Sequence, residues 1–471
     1  MSTGMNLWDP QVWGFITTFS ALLIAMIIAN IILNTCKVVR QLMIPSSVLG
    51  GFLLLIVNFF CKNFLDHALY SPQTLEILTY HGLGLGFAAL ALRRADAKAD
   101  KAARTGAFDT GVAVANGYML QAILGLVATI ALFYMMGSFY ASGLLLPMGF
   151  GQGPGQAYNW GHTYELRYGF TDGTSFGLTV AAMGFVSASV GGIIHLNWLR
   201  KKGIYKGEMG ANATDKLTLE TFTDKDEIPL AESMDKFTIQ IALVFIAYAM
   251  SFLFMKGVNT LLDPTGVGAT GLAGTIQGLI WGFQFLFASV FATLLKTVLR
   301  RLKQKGVIRR EYSNDFLQNR ISGFMFDLMV VASIAAIDLR AFTKMEFLMP
   351  LSIICVLGAV GSYIYLRVVC KRVFPTYEQE AFLSLYGMQT GTASTGTILL
   401  REIDPNFESP AAHNLVYHMP WAIPFAAPML LMMGMAAESI TKCIVALGII
   451  AVLFVAFNIL LFRRSIFKKK K

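Results

Sequence analysis

Long apolar stretches alternate with short polar segments along almost the whole chain. A helix needs about 20 apolar residues to cross the hydrocarbon core of a bilayer, and runs of that kind recur throughout. The first run is too long for the apolar core of a signal peptide, about 7–15 residues, so we expect it to remain in the protein. We predict eleven transmembrane helices, near residues 12–33, 44–60, 74–92, 111–135, 174–198, 237–256, 271–295, 321–339, 346–366, 413–436 and 440–462.

Two glycine-rich stretches interrupt this pattern at corresponding places in the two halves of the chain. Residues 149–157 carry glycine at every second position and one proline, and residues 387–397 combine glycine with threonine and serine. Glycine weakens a helix by about 1 kcal/mol and proline by about 3 kcal/mol, so both stretches predict open backbone. At membrane depth, open backbone is tolerated only where protein or a water-filled cavity surrounds it. Paired interruptions of this kind indicate the substrate site of a secondary transporter.

Composition and charge support a membrane protein and give it an orientation. The chain is 55% hydrophobic and 14% charged, with a mean hydropathy of +0.58. If the N-terminus lies outside, 31 of the 38 Lys and Arg residues fall in cytoplasmic loops and 6 in external loops. This bias predicts an external N-terminus and a cytoplasmic C-terminus. It also accounts for the net charge of +10 without a nucleic-acid partner. The five cysteines are scattered and suggest neither disulfides nor a metal site.

The same charge count constrains the two interrupted stretches. A full crossing at either one would invert every later loop, so we interpret each as a re-entrant hairpin that returns to its own side. The predicted fold is an all-α integral membrane protein with two inverted five-helix repeats, each with a re-entrant hairpin, and one extra C-terminal transmembrane helix. The first repeat is 1–199, with an outward-opening hairpin at about 139–165, and a cytoplasmic linker covers 200–235. The second repeat is 236–437, with an inward-opening hairpin at about 381–410, and 438–471 is the additional helix with its basic tail.

The first hairpin offers backbone and amide groups to a ligand. Alternating glycines allow close approach of the backbone, and two glutamines add side-chain amides. The alternative is a tight external turn, which would not need four alternating glycines. The substrate-binding candidates here are Gly151, Gln152, Gly153, Gly155 and Gln156.

The second hairpin offers oxygen atoms and backbone N–H groups. Hydroxyl and carbonyl oxygens suit a hard cation such as Na⁺, by analogy with Ca²⁺ and Mg²⁺, and N–H groups at half-helix N-termini attract a carboxylate. The alternative is that the hydroxyls bond to carbonyls of their own helix. The substrate candidates are Gln389, Gly391 and Thr392, and the candidate Na⁺ ligands are Thr390, Ser394 and Thr395.

Two charged residues complete the candidates. Arg401 follows the second hairpin and could clamp a carboxylate with its guanidinium, or could form a structural salt bridge with the nearby Glu402 and Asp404. Asp327 lies within a predicted span, where a carboxylate is costly and usually faces a pathway or a partner. It is a further candidate Na⁺ ligand, and it also leaves proton coupling open. Gln121, within the fourth predicted span, is a weaker candidate, because lone polar groups in bundles more often bond between helices.

The sequence contains none of the common short motifs of zinc proteases, serine hydrolases or phosphate-binding loops. We therefore expect a protein that is not an enzyme. A non-transporting membrane sensor on the same fold is an alternative, and an appended signalling domain would favour it.

Several motifs resemble those of the sodium:glutamate symporter family, over most of the chain to about residue 437. They are Gly151-Gln152-Gly153-Pro154-Gly155, Arg167-Tyr168-Gly169-Phe170-Thr171 leading to Gly191-Gly192, and Ile44-Pro45 with Gly50-Gly51. The resemblance implies paired hairpins that meet at the site, Na⁺-coupled uptake of an acidic amino acid, a homodimer and elevator-like motion. Carried over by position, it supports Gly151, Gly153 and Gly155 in the first hairpin and Gly387, Gly391 and Thr395 in the second.

The chain also departs from the family pattern, with Gln152 in place of histidine, Pro154 in place of threonine and Gln389 in place of glycine. These changes bear on the substrate more than on the fold. The expectation is thus a Na⁺-coupled symporter of the bacterial inner membrane that takes up glutamate or a similar small carboxylate by an elevator mechanism. A proton-coupled carrier of another organic anion or amino acid is the alternative.

Overall fold

A computed structural model describes residues 10–66, 68–93, 101–205, 230–264, 271–308 and 312–466. Within these ranges the regular elements are helices, and no strand is present, so the predicted all-α class is confirmed. The α-helices are α1 (Pro10–Thr35), α2 (Lys37–Arg40), α3 (Ser46–Phe64), α4 (Pro72–Leu92), α5 (Lys101–Met136), α6 (Pro154–Tyr168), α7 (Gly173–Lys201), α8 (Leu230–Leu262), α9 (Gly271–Gly282), α10 (Gln284–Gln304), α11 (Asp315–Ala335), α12 (Met345–Val373), α13 (Glu378–Thr390), α14 (Ala393–Arg401), α15 (Pro410–Tyr417), α16 (Met419–Glu438), α17 (Ile440–Leu461) and α18 (Arg463–Ile466).

Apolar helices long enough to cross a membrane dominate the described residues. Nine qualify individually, and a tenth is added if the bent pair Ile276–Gly282 and Gln284–Gln304 counts as one span. The chain is therefore a multi-pass membrane protein. The nine are Val12–Thr35, Ser46–Phe64, Pro72–Leu92, Ala102–Met136, Gly173–Lys201, Phe237–Leu262, Met345–Val373, Met419–Glu438 and Ile440–Leu461.

Three of the eleven predicted spans differ in detail from the structure. The run at 271–295 is two helices bent by 65° beside Phe283. The run at 413–436 contains the end of α15 and most of α16, which meet at His418. The run at 321–339 corresponds to α11, a helix outside the nine. Most of the predicted linker, residues 206–229, and residues 467–471, which include the last four lysines, lie outside the described residues.

The chain forms two compact units, each assembled from separate stretches of sequence. The first unit comprises Met1–Leu22, Tyr70–Ala97 and Asp215–Ala332, and the second comprises Leu23–Leu69, Lys98–Thr214 and Ser333–Lys471. Each unit therefore draws on both predicted repeats. Both glycine-rich stretches belong to the second unit.

In the first unit, α4, α8 and α10 pack around a buried amide. Tyr248 donates a hydrogen bond to Gln284 Oε1 at 2.6 Å, and Gln284 Nε2 donates to the carbonyl of Tyr80 at 2.6 Å. An ideal Cβ on Gly84 would lie 2.5 Å from Gln284 Oε1. The absence of a side chain at Gly84 therefore leaves room for this network, in which both polar atoms of the amide are bonded.

In the second unit, one face of α7 lies against both glycine-rich stretches. Its glycines at positions 177, 184 and 191 are seven residues apart and so share a helix face. An ideal Cβ on Gly177 would lie 2.2 Å from the carbonyl oxygen of Ala157 in α6, and one on Gly184 would lie 2.3 Å from that of Thr390 in α13. Backbone thus packs directly on backbone at both places.

Glycines of α5 also allow close contacts, with the chain before α6 and with a side chain of α13. An ideal Cβ on Gly125 would lie 2.1 Å from the carbonyl oxygen of Gly143, which precedes α6, and one on Gly117 would lie 1.8 Å from Gln389 Oε1 in α13. The two interrupted stretches are therefore held by α5 and α7, through positions that admit no side chain.

We predict that Gly125→Ala destabilises the protein, because the added methyl group would meet backbone that cannot rotate away. Overpacking of this kind costs about 1–3 kcal/mol, and the thermal unfolding midpoint of the purified protein in detergent should fall accordingly. Gly448→Ala in α17 is the matched control, because no atom lies within 4 Å of its ideal Cβ. Alanine favours a helix by about 1 kcal/mol relative to glycine, so the midpoint of this variant should not fall. Equal midpoints for the two variants would contradict this packing.

Candidate functional site

The first glycine-rich stretch is a helix interrupted at Gly153. A 3₁₀ helix, Tyr140–Leu144, and a π-helical turn, Pro147–Gly151, lead to Gln152, after which α6 begins. Gly153 has φ 86° and ψ −177°, a conformation that is essentially restricted to glycine. The ring of Phe139, before the interruption, lies 5.5 Å from that of Tyr164 in α6, so the chain doubles back. We call the interruption at Gln152 and Gly153 the first break.

The second stretch is interrupted between α13 and α14. Thr390 ends α13, Gly391 has φ −135° and ψ −103°, and Thr392 is extended before α14 begins at Ala393. An ideal Cβ on Gly387 would lie 2.8 Å from Gly396 Cα, so α14 packs back along α13. We call Gly391 and Thr392 the second break.

The two breaks lie next to each other. An ideal Cβ on Gly153 would lie 3.5 Å from Thr392 Cγ2 and 3.8 Å from the carbonyl oxygen of Gly391. Helices α6 and α14 both begin at this contact, and the π-helical turn and α13 both end beside it. Four helix ends from distant parts of the sequence therefore meet at one place within the second unit.

These helix ends give the contact a polar character. The first-turn N–H groups of a helix have no acceptor within the helix, and neither Gly153 nor Thr392 makes a side-chain cap bond. The starts of α6 and α14 therefore carry partial positive charge and suit an anion. The ends of the π-helical turn and α13 expose carbonyl groups of the opposite sign.

Gln156 is the polar side chain in the first turn of α6 that lacks partners. It is 1% exposed, and neither its amide nitrogen nor its amide oxygen has a hydrogen-bond partner among the described residues. An unsatisfied buried polar group costs about 1–3 kcal/mol. A ligand that bonds to Gln156 would remove that cost, which makes this residue the strongest single indication of a binding site.

Gln389, at the end of α13, is connected to α5. Its side chain is fully buried and donates to the carbonyl of Ala113 at 3.2 Å, while its own carbonyl accepts from Gln121 Nε2 at 2.9 Å. Gln121 also donates to Ser362 Oγ in α12 at 3.0 Å. The amide nitrogens of both glutamines are thus bonded between helices.

The hydroxyl groups at and beside the second break differ in their contacts. Thr390 Oγ1 donates to the carbonyl of Tyr386 at 2.7 Å, as the alternative of bonding within the helix predicts. Thr392 Oγ1 lies 3.4 Å from Thr395 Oγ1, and both belong to the start of α14. Ser394 is exposed. Hydroxyls at a positive helix start suit an anion better than a cation.

The remaining predicted site residues are placed as follows. Gly151 ends the π-helical turn and Gly155 lies buried in the first turn of α6, while Gln152 is half-buried and its N–H donates to the carbonyl of Pro147 at 3.1 Å. Arg401 lies at the opposite end of α14 from the break, with its guanidinium 5.2 Å from the ring centre of Phe407.

Asp327 is in α11 and belongs to the first unit, whereas both breaks belong to the second. Asp404 accepts hydrogen bonds from the N–H groups of Glu408 and Ser409, each at 2.9 Å, which is a local structural role ahead of α15. Within the described ranges, no group of three or more His, Cys, Asp or Glu side chains is positioned to hold a metal ion.

Gln121, a weaker candidate from the sequence, contacts the residues that precede both breaks. An ideal Cβ on Gly151 would lie 3.2 Å from Gln121 Oε1, and Nε2 of the same side chain bonds to Gln389. The signal in the sequence was a polar side chain within an apolar span, which by itself does not distinguish a helix contact from a site.

Comparison with known proteins gives no family assignment. No protein-family model matches the chain, and no curated protein matches it.

We predict that Gln156→Met stabilises the ligand-free protein. Methionine of similar volume removes two buried polar atoms that lack partners, so the unfolding free energy should rise by about 1–3 kcal/mol. Gln284→Met is the matched control, because both polar atoms of that buried amide are bonded, and it should destabilise the protein. Thermal unfolding in detergent without added substrate measures both. Destabilisation by Gln156→Met would show that this amide has a structural role.

Proposed function

We propose that the protein is a sodium-coupled symporter that takes up glutamate or a similar small carboxylate. The observation that carries the proposal is the contact between the two breaks, at which both α6 and α14 begin. The first turn of α6 also holds the unpartnered amide of Gln156. Discontinuous helices that meet in this way form the substrate and ion sites of secondary transporters.

The substrate end of the proposed site is the start of the two helices. Free N–H groups in the first turns of α6 and α14 would receive a carboxylate. Gln156 would bond to the substrate with its amide, and the paired hydroxyls of Thr392 and Thr395 would add donors at the second break. A small carboxylate with further polar groups matches this mixture of donors and acceptors.

Sodium coupling is supported by the neutral chemistry around the breaks. Six side chains at or near the breaks carry neutral amide or hydroxyl oxygens, namely Gln121, Gln156, Gln389, Thr390, Thr392 and Thr395. Such oxygens can coordinate a hard cation by analogy with other hard cations, whereas proton coupling requires a group that titrates.

Transport would follow from binding in two steps. Na⁺ at the carbonyl ends would order the breaks so that the carboxylate binds more tightly, and the substrate would strengthen Na⁺ binding by the same factor. The second unit, which carries both breaks, would then move as one body in an elevator-type alternation. The breaks themselves would act as paired re-entrant hairpins of two inverted repeats.

The proposed orientation places the N-terminus outside and the C-terminus in the cytoplasm of a bacterial inner membrane. The asymmetry of Lys and Arg between alternate loops supports this topology. The pair Arg463 and Arg464, directly after α17, lies on the side proposed as cytoplasmic.

We predict that Gly153→Val abolishes uptake while the protein still inserts and folds. Valine would be strained at φ 86°, and its Cβ would already be in van der Waals contact with Thr392 Cγ2 at 3.5 Å, so its two methyl groups would add bulk between the breaks. Gly169→Val is the matched control, because Gly169 also has a positive φ, of 70°, but no atom within 4 Å of its ideal Cβ. The control should lose some stability and keep most of its transport.

The measurement is uptake into proteoliposomes of labelled glutamate, other amino acids and small dicarboxylates, with an inward gradient of Na⁺ or of K⁺. We expect one or more carboxylates to accumulate only with Na⁺. If Gly153→Val took up substrate at the wild-type rate, the binding site would not lie where the two breaks meet. Absence of Na⁺ dependence for every transported substrate would overturn the sodium coupling.

A further inference from the structure

The turn of α5 that contacts both broken stretches is bordered by two unpaired oxygen atoms. Gln121 and Gln389 are both fully buried, and Oε1 of each lacks a hydrogen-bond partner within the described part of the chain. Gln121 Nε2 donates to Ser362 Oγ and to the carbonyl of Gln389. Gln389 Nε2 donates to the carbonyl of Ala113. Because these bonds fix which end of each amide is nitrogen, the unpaired atoms are acceptors.

The surroundings of these oxygens carry negative partial charge. The π-helical turn ends at Gly151, whose ideal Cβ would lie 3.2 Å from Gln121 Oε1. Helix α13 ends at Thr390, one residue after Gln389. Carbonyl ends of helices attract cations, and in transporters such ends coordinate Na⁺.

The unpaired atoms of the three glutamines indicate which kind of ligand each could bind. At Gln156 both the donor and the acceptor of the amide are unpaired, which suits a polar substrate. At Gln121 and Gln389 only the oxygens are unpaired, which suits a cation. The described contacts of these two side chains are with amide, hydroxyl and backbone groups, whereas divalent cations generally take carboxylate ligands. The chemistry therefore favours a hard monovalent cation.

We propose that Gln121 Oε1 and Gln389 Oε1 are ligands of the coupling Na⁺, which binds against α5 where the π-helical turn and α13 end. This inference rests on the proposed function for the choice of Na⁺ as the cation. It moves the ion away from Ser394 and Thr395, which lie at the positive start of α14. Thr390, at the carbonyl end of α13, stays compatible with the site.

This position explains how the ion would affect the substrate. Gln389 precedes the second break, and Gln121 reaches from α5 to the edge of the first. A cation shared by these oxygens would hold the two breaks in one arrangement. The helix starts that receive the carboxylate would then be aligned before the substrate arrives.

The test is the thermal unfolding of the purified protein, without substrate, over a titration of NaCl against choline chloride at constant ionic strength. Gln121→Met and Gln389→Met each remove one proposed ligand, and Ser362→Ala removes only the neighbour of Gln121 Nε2. A ligand that binds only the folded protein raises the free energy of unfolding, and above its dissociation constant the rise follows the logarithm of its concentration. We expect the Na⁺ concentration that gives half of the maximal stabilisation to rise at least about tenfold in both methionine variants. In Ser362→Ala it should stay unchanged.

The outcomes separate this inference from the proposed function. A wild-type protein with no specific response to Na⁺ would overturn sodium coupling as a whole. A wild-type response that persists unchanged in both methionine variants would leave sodium coupling intact and overturn this placement of the ion. Loss of the response in Thr395→Val, with retention in Gln121→Met and Gln389→Met, would assign the ion to the start of α14 instead.

Should Gln121→Met not fold, Gln121→Lys provides a second reading. The lysine ammonium can donate to Ser362 and to the carbonyl of Gln389 and places a positive charge where the cation would bind. We expect this variant to fold without Na⁺ and to show no Na⁺ response. A wild-type Na⁺ response in Gln121→Lys would contradict the proposal.

Discussion

Two short breaks in helices, at Gly153 and at Thr392, lie close to each other in a described structure that is mainly helical and apolar. Such backbone would be costly in lipid, so it must be enclosed by protein. The enclosure comes from α5 and α7, whose glycines let main chain approach main chain at Ala157, Thr390 and Gly143. The breaks, the helix ends and the polar side chains around them all depend on this close packing.

The packing also separates charges. Helices that begin at the contact present N–H groups, and helices that end there present carbonyl groups, so one small region carries both signs. Unpaired polar atoms follow the same division. Gln156, at the start of α6, lacks partners for a donor and an acceptor, whereas Gln121 and Gln389, beside the helix ends, lack partners for oxygens alone. A carboxylate at the first group and a cation at the second would each neutralise a charge that the fold creates.

The sequence predicted the helices and the breaks because their signals are local. Runs of apolar residues give spans, and alternating glycines with a proline give an interruption wherever they occur, so the fold class and the open conformation at Gly153 were accessible. The bend beside Phe283 was not predicted, because a single glycine in an apolar run, here Gly282, also occurs in unbroken transmembrane helices. The role of Gln121 was missed for another reason. Only tertiary packing determines that its nitrogen is bonded twice while its oxygen is left over.

The most direct test of one shared site is a cryo-electron microscopy map of the protein with saturating Na⁺ and the carboxylate that it transports. The account predicts density for the carboxylate at the starts of α6 and α14, within hydrogen-bond distance of the Gln156 amide. Density for the carboxylate elsewhere, with the first turn of α6 and Gln156 unoccupied, would contradict it.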